Sequence, residues 1–329
     1  MNETGCCGPT PAVDAKARED RAPAMSSAPG RPADLELISL TGGDFFMGSD
    51  AGEGEPADGE GPARQFWLSP FRIARTAVTN RQFADFVEDT GYVTYAEEVG
   101  SSFVFAGLLP DDFPPTRGLL DAPWWRETPG ACWRRPEGTG SDWRRRGDHP
   151  VVHVSWRDAL AFCRWADLRL PTEAQWEYAA RGGLKGRRYP WGDDLTPGGE
   201  HLCNVWQGRF PAHNDCADGY AGTAPADAYP PNGFGLHNAC GNVWEWCADR
   251  FSVTHPSGPL RDPAGPAVGE RRVIRGGSYL CHESYCFRFR VAARSANLPD
   301  ATAGHMGFRC AAEALQDSPA RDPSRKDTP

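Results

Sequence analysis

Cys281 and Cys286 stand in the segment Arg275-Gly276-Gly277-Ser278-Tyr279-Leu280-Cys281-His282-Glu283-Ser284-Tyr285-Cys286-Phe287-Arg288-Phe289-Arg290. No other stretch of the chain sets two cysteines among so many reactive neighbours. Two thiols at this spacing can face one another across a short turn and hold one soft metal ion. The same spacing also permits a disulfide, or two unrelated buried thiols. Oxygens offer a second chemistry. Asn204-Val205-Trp206 with Asp218-Gly219-Tyr220, and Asn238 with Gly241-Asn242-Val243-Trp244-Glu245, set side-chain oxygens among turn formers. A calcium ion takes about six to eight oxygens, several of them carbonyls that irregular backbone can aim inward. Asn and Asp in glycine-rich turns also bond their own backbone, so the pattern alone leaves both readings open.

Several classes of chemistry are missing from the sequence. No Gly-x-Ser-x-Gly elbow, phosphate cradle or dinucleotide fingerprint is present. His149, His153, His237, His282 and His305 are too dispersed for a zinc signature. A formal net charge of −9 with scattered arginines gives no nucleic-acid footprint. No apolar run has the length of a signal peptide or a bilayer span, so a cytoplasmic protein without a membrane partner is expected. Eleven cysteines in such a compartment argue for thiol or metal chemistry over a disulfide framework, with unpaired thiols available.

The elements that must position these groups are few. Thr79 with Gln82 forms a capping box before the stripe Phe83, Phe86 and Val87, and Gly91 ends that helix. A second helix is expected after Ser155, with Ala159, Phe162, Cys163 and Ala166 on one face. A third follows Thr172, with Gln175 in the capping position and Gly182-Gly183 at its end. Short strands are expected within Leu35 to Met47 and around Phe66-Trp67-Leu68 and Phe71-Arg72-Ile73, with later ones at Val273 to Arg275 and Phe287 to Val291. The stretch from Tyr92 to Pro150, rich in Trp, Pro and Gly, reads as long packed loops. The expected architecture is α+β with low secondary-structure content. One domain is expected over residues 35–313, with disordered tails at 1–34 and 314–329.

Taken together, several segments resemble the formylglycine-generating enzymes, the sulfatase-modifying factor family, in its bacterial form. They are Gly42-Gly43-Asp44-Phe45-Phe46-Met47-Gly48, His153-Val154-Ser155-Trp156, Arg169 to Tyr178, Gly241 to Trp246, Arg275 to Ser278, the Cys281/Cys286 pair, and Gly307-Phe308-Arg309-Cys310. The resemblance implies a divergent C-type-lectin-like fold. It also implies an oxidase that uses O2 to convert the cysteine of a Cys-x-Pro-x-Arg motif, in an unfolded sulfatase polypeptide, to Cα-formylglycine. By the same resemblance Cys281 and Cys286 would bind Cu(I), leaving room for the substrate sulfur, and the substrate thioaldehyde would hydrolyse to the aldehyde. Ser278 would be a polar neighbour of the copper and Trp244 and Tyr285 would line the cavity. His282 would lie beside it, and Arg294 and Asn297 would be supporting polar groups. Two calcium sites would fall on Asn204, Val205, Asp218 and Tyr220, and on Asn238, Gly241, Val243 and Glu245. An external thiol reductant and a monomeric state are expected with this reading.

The sequence departs from the family in two places. Of the two disulfides of secreted relatives, one pair of positions reads Cys163 and Cys310, whereas the other reads Ala180 and Val291. The neighbourhood expected to meet the substrate arginine reads Val99-Gly100-Ser101-Ser102 and lacks an acid, with Glu97 and Glu98 close by. Two rivals are a non-catalytic lectin-like binding module, which would need no paired cysteines, and an iron-dependent sulfoxide synthase, which would need a histidine-rich site.

Overall fold

A computed structural model describes residues 30, 32, 34–255, 258 and 260–315 of the chain. The tails expected at 1–34 and 314–329 lie almost wholly outside the described residues. The first half carries β1 (Leu37–Leu40), β2 (Gly43–Met47), β3 (Arg64–Leu68), β4 (Phe71–Ala74), α1 (Asn80–Thr90), α2 (Tyr95–Val99), β5 (Ser101–Phe105), β6 (Gly118–Leu119) and β7 (Ala122–Pro129). Next come α3 (Trp156–Trp165), α4 (Glu173–Ala180) and the two-residue strands β8 (Gly208–Arg209) and β9 (His213–Asn214). The last part holds β10 (Trp244–Arg250), β11 (Leu260–Arg261), β12 (Arg272–Arg275), β13 (Arg294–Asn297), β14 (Met306–Phe308) and β15 (Ala311–Glu313). The result is a mixed α+β fold in which small sheets are linked by long irregular segments.

The three expected helices form where their caps place them. Thr79, Ser155 and Thr172 each accept from the third residue of the following helix, and each receives the reciprocal side-chain bond of a capping box. Such caps contribute about 1 kcal/mol apiece. The buried faces of α1 and α3 meet where the Phe83 and Phe162 rings stack at 5.9 Å.

Two expectations are corrected. Residues from Tyr92 to Pro150 are not all loop, because Thr94 and Glu97 cap the short helix α2, and β5, β7 and β6 form a three-stranded sheet. Phe287 to Val291 is not a strand. Its alternation serves a different purpose: Arg288 pairs with Asp58, Arg290 pairs with Glu60 at 2.7 Å, and Phe289 stacks on Tyr189. The backbone there is fixed by side chains, and the strand begins later, at Arg294.

The sheet that carries the later motifs runs β13-β12-β10-β14. β10 is antiparallel to β12 and parallel to β14, with Trp244 opposite Met306 and Trp246 opposite Phe308. Trp244, Glu245 and Trp246 are all buried, as expected of a strand covered on both faces. Beneath this sheet lies a lattice of buried charges. Arg275 reaches Glu173 at 2.8 Å and Glu177 at 2.5 Å, Arg294 grips Glu173, and Arg309 grips Glu245. Removing one partner from such a pair costs about 3–5 kcal/mol, because the other charge stays buried.

Candidate active site

Gly276 and Gly277 turn the chain out of β12 with φ of 93° and 74°. A side chain at Gly277 would place its Cβ 2.8 Å from Phe289 Cα, so only glycine fits this close approach. The next turn is closed by the Cys281 N–H donating to the Ser278 carbonyl at 2.9 Å. A second follows, in which the N–H groups of Tyr285 and Cys286 both donate to the His282 carbonyl. These turns bring the two sulfurs to 3.1 Å. That is longer than the roughly 2.05 Å of a disulfide, so Cys281 and Cys286 are not joined to each other. Cys286 is in a disulfide whose partner is not among the described residues.

Ser278 is the polar neighbour expected. Its N–H points at Cys281 Sγ at 3.3 Å and its hydroxyl lies 4.0 Å from the same sulfur. Tyr285 stacks on Phe210 with centroids 4.3 Å apart and meets Trp124 edge-on at 4.8 Å. Trp206 and Phe105 extend this aromatic wall. Trp244 is fully buried in the same hydrophobic cluster as both cysteines, and its indole N–H has no partner among the described residues. His282 turns its Nδ1 to Ser284 Oγ at 2.8 Å. Arg294 does not support the cysteine turn. It serves Glu173, the Ser252 carbonyl and His255. Asn297 donates to Met306 Sδ.

Among the described residues no three His, Cys, Asp or Glu side chains converge as a metal cage. Within the described residues the two sulfurs suit a soft ion that tolerates low coordination.

The oxygen-rich loops show their own signs. Asp218 Oδ2 and the Val205 carbonyl converge on the side-chain nitrogen of Gln207, which lies 2.8 Å from the Asp218 oxygen. A nitrogen donor thus stands where two oxygens would meet a cation. Asn204 Oδ1 and Asn238 Oδ1 are both buried without a hydrogen-bond partner among the described residues. These orphaned oxygens, one in each loop, fit calcium ligation. Glu245 fits less well, since its carboxylate is gripped by Arg309 and also accepts from Trp176 Nε1 at 2.7 Å. The loops also brace the cysteine turn: the Asn242 N–H donates to the Asn204 carbonyl, and the Tyr279 N–H to the Asn242 carbonyl.

The matched domain decides the family. Residues 23–314 match the sulfatase-modifying factor enzyme 1-like domain. The chain belongs to the sulfatase-modifying factor family. The formylglycine-generating enzyme of Streptomyces coelicolor is 57% identical over 298 residues, covering 89% of this chain and 95% of the relative. That of Mus musculus is 48% identical, over 94% of this chain and 84% of the relative. Among solved structures, PvdO from Pseudomonas aeruginosa aligns with a TM-score of 0.60 at 26% identity, over 85% of this chain and 95% of its own. The C-type-lectin-like fold expected of the family is therefore the fold observed.

Sequence reasoning missed Gln207, Phe210 and Glu127. Glu127 supplies an acid where Ser101 and Ser102 lack one: Ser101 Oγ donates to Glu127 Oε1 at 3.0 Å. Only the pairing of β5 with β7 brings these residues together. Glu97, the nearer acid in sequence, is occupied by its capping box and by Arg134.

Proposed function

We propose that this chain oxidises the cysteine of a Cys-x-Pro-x-Arg motif in unfolded sulfatase polypeptides to Cα-formylglycine. The observation that carries this reading is the Cys281/Cys286 sulfur pair at 3.1 Å, polarised by Ser278 and set beside the Tyr285 wall. The two cysteines would hold Cu(I), which supplies O2 activation when bound. Both sulfurs must be thiolates for this, so the Cys286 disulfide has first to be reduced by an external thiol. The overall change balances as one cysteine, one O2 and two reducing equivalents giving one aldehyde, one hydrogen sulfide and one water. Two thiols of the reductant supply the electrons and protons and leave as a disulfide.

Ser278 holds Cys281 ready by donating to its sulfur. Trp124, Phe210 and Tyr285 exclude water and offer flat apolar faces to the substrate proline. Glu127 takes the substrate arginine. It lies opposite Phe103 across the β5/β7 ladder, on the face that carries Phe105 toward Phe210. Two calcium ions would be structural, held by Asn204, Val205, Asp218 and Tyr220, and by Asn238, Gly241, Val243 and Glu245, with Val, Gly and Tyr offering carbonyls. A monomer in the reducing cytoplasm accords with Cys163 and Cys310, whose sulfurs stand 3.7 Å apart and are not joined.

The test is mass spectrometry of a Cys-x-Pro-x-Arg peptide incubated with the copper-loaded chain, O2 and a thiol. Formation of the aldehyde, with sulfide released, is expected. A peptide returned unchanged by the loaded chain rules the reading out.

A further inference from the structure

At the opposite end of β10 from Trp244, six residues and roughly 20 Å along the strand, the molecule holds a cavity of about 420 Å³. That volume is in the range of small-molecule sites. Met47, Phe66 and Leu260 give it apolar walls, and Glu173, Asp249, His255 and Arg294 give it a polar floor. The charges on this floor are unevenly satisfied. Glu173 receives Arg294 through two bonds of 2.7 Å and Arg275 through one of 2.8 Å. His255 Nε2 lies 2.8 Å from Arg294 and 3.0 Å from the Gly59 carbonyl, and burial, reinforced by Arg294, pushes the ring down to about 4, so it is neutral. Asp249 is different. It is 5% exposed, accepts the Glu173 N–H at 2.7 Å, and has no ion pair among the described residues.

We propose that this cavity is a second binding site, for a small organic cation carrying a primary ammonium or guanidinium group on a short apolar chain, with Asp249 as the counter-ion. The apolar walls take the chain and the carboxylate takes the charge. Burial, reinforced by the Glu173 charge and opposed by Arg294, pushes the Asp249 carboxyl up to about 7. The groups facing it are Glu173 at the start of α4, Arg294 on β13 and Cys247 on its own strand, with Arg250 and His255 at the cavity wall. A cation placed there supplies the charge the floor lacks, and its affinity rises as pH rises through about 7. Nothing in the cysteine chemistry enters this site, so it stands or falls independently of the proposed reaction.

The experiment is a titration of the full chain with butylammonium, followed by amide NMR, with 1-butanol as the neutral control. Saturable shifts above pH 7 at the Asp249 and Glu173 amides are expected. Binding should be roughly tenfold or more weaker well below pH 7, where Asp249 is protonated. Asp249→Asn keeps an oxygen for the Glu173 N–H and should weaken binding at least as much. Ala264→Trp fills the cavity from an exposed loop and should abolish binding. Equal binding by Asp249→Asn, by Ala264→Trp or by 1-butanol overturns the proposal, as does the absence of any saturable shift.

Discussion

The N–H of Trp206 donates to the main-chain carbonyl of Cys281 at 3.0 Å, which ties the first oxygen-rich loop directly to the cysteine turn. Val205, one of the proposed calcium ligands, is the residue before. A calcium ion there would fix the position of Trp206 and, through it, of Cys281. Chelation should therefore lower the melting temperature by roughly 5–10 °C, which is what loss of a ligand held at about a hundred times its Kd produces in a domain of this size. Asp218→Asn should reproduce most of the shift. Calorimetry with and without chelator checks this, and an unchanged melting temperature would remove calcium from these loops.

Cys281→Ser and Cys286→Ser should each lower turnover by at least roughly a thousandfold. Both side chains are buried, yet serine matches cysteine closely in shape, so under reducing conditions, where the Cys286 disulfide is open in the parent too, each variant should melt within a few degrees of the parent. Peptide conversion and Cu(I) binding, measured on the reduced chain, check the pair together. Substantial conversion by either variant would remove that sulfur from the mechanism.

The helices and the cysteine turn were legible in the sequence because their signals are local. Thr79, Ser155 and Thr172 announce their caps within three residues, and the Gly276-Gly277 turn announces its own geometry. The aromatic wall was not legible in the same way. Phe210 meets Tyr285, and Phe105 meets Trp206, only after segments far apart in the chain have packed together. The Phe287 to Val291 alternation misled because a period-two pattern of Phe and Arg can serve ion pairs, here Arg288 with Asp58 and Arg290 with Glu60, as well as a ladder. The short helix α2 carried a readable Thr94/Glu97 capping box but too few residues to show a stripe.

Acid should unfold this protein partly through Glu173. Burial alone would raise its carboxyl, but Arg294 and Arg275 outweigh that and hold it at about 2. Its folded value is below its unfolded value, so its contribution is complete above the unfolded carboxylate range. It is lost as pH falls from about 5 toward 2. Glu173→Gln should cost about 3–5 kcal/mol at neutral pH by leaving two guanidinium groups under-compensated. It should also flatten the stability profile below about pH 5. Urea unfolding across that range checks both, and a variant with the parent's acid slope would show that other carboxylates carry the effect.

Glu127 should set the preference for arginine in the substrate. From the substrate cysteine to its arginine is four residues, about 13 Å of extended chain. Tyr285 adjoins Cys286, Phe210 lies under Tyr285, Phe105 lies against Phe210, and Glu127 sits two ladder positions from Phe105 on the same face. That path leads from the sulfur pair to a carboxylate that is only loosely paired, with Arg117 at 3.7 Å. A charge-assisted bond to a guanidinium contributes about 1.5–3 kcal/mol, so Glu127→Gln should raise KM for the arginine peptide roughly ten- to a hundredfold, with kcat nearly unchanged. With citrulline in place of arginine, the parent and the variant should converge on one KM. A variant that loses the same factor on both peptides would show that Glu127 acts on the fold of β7 and not on the substrate's charge.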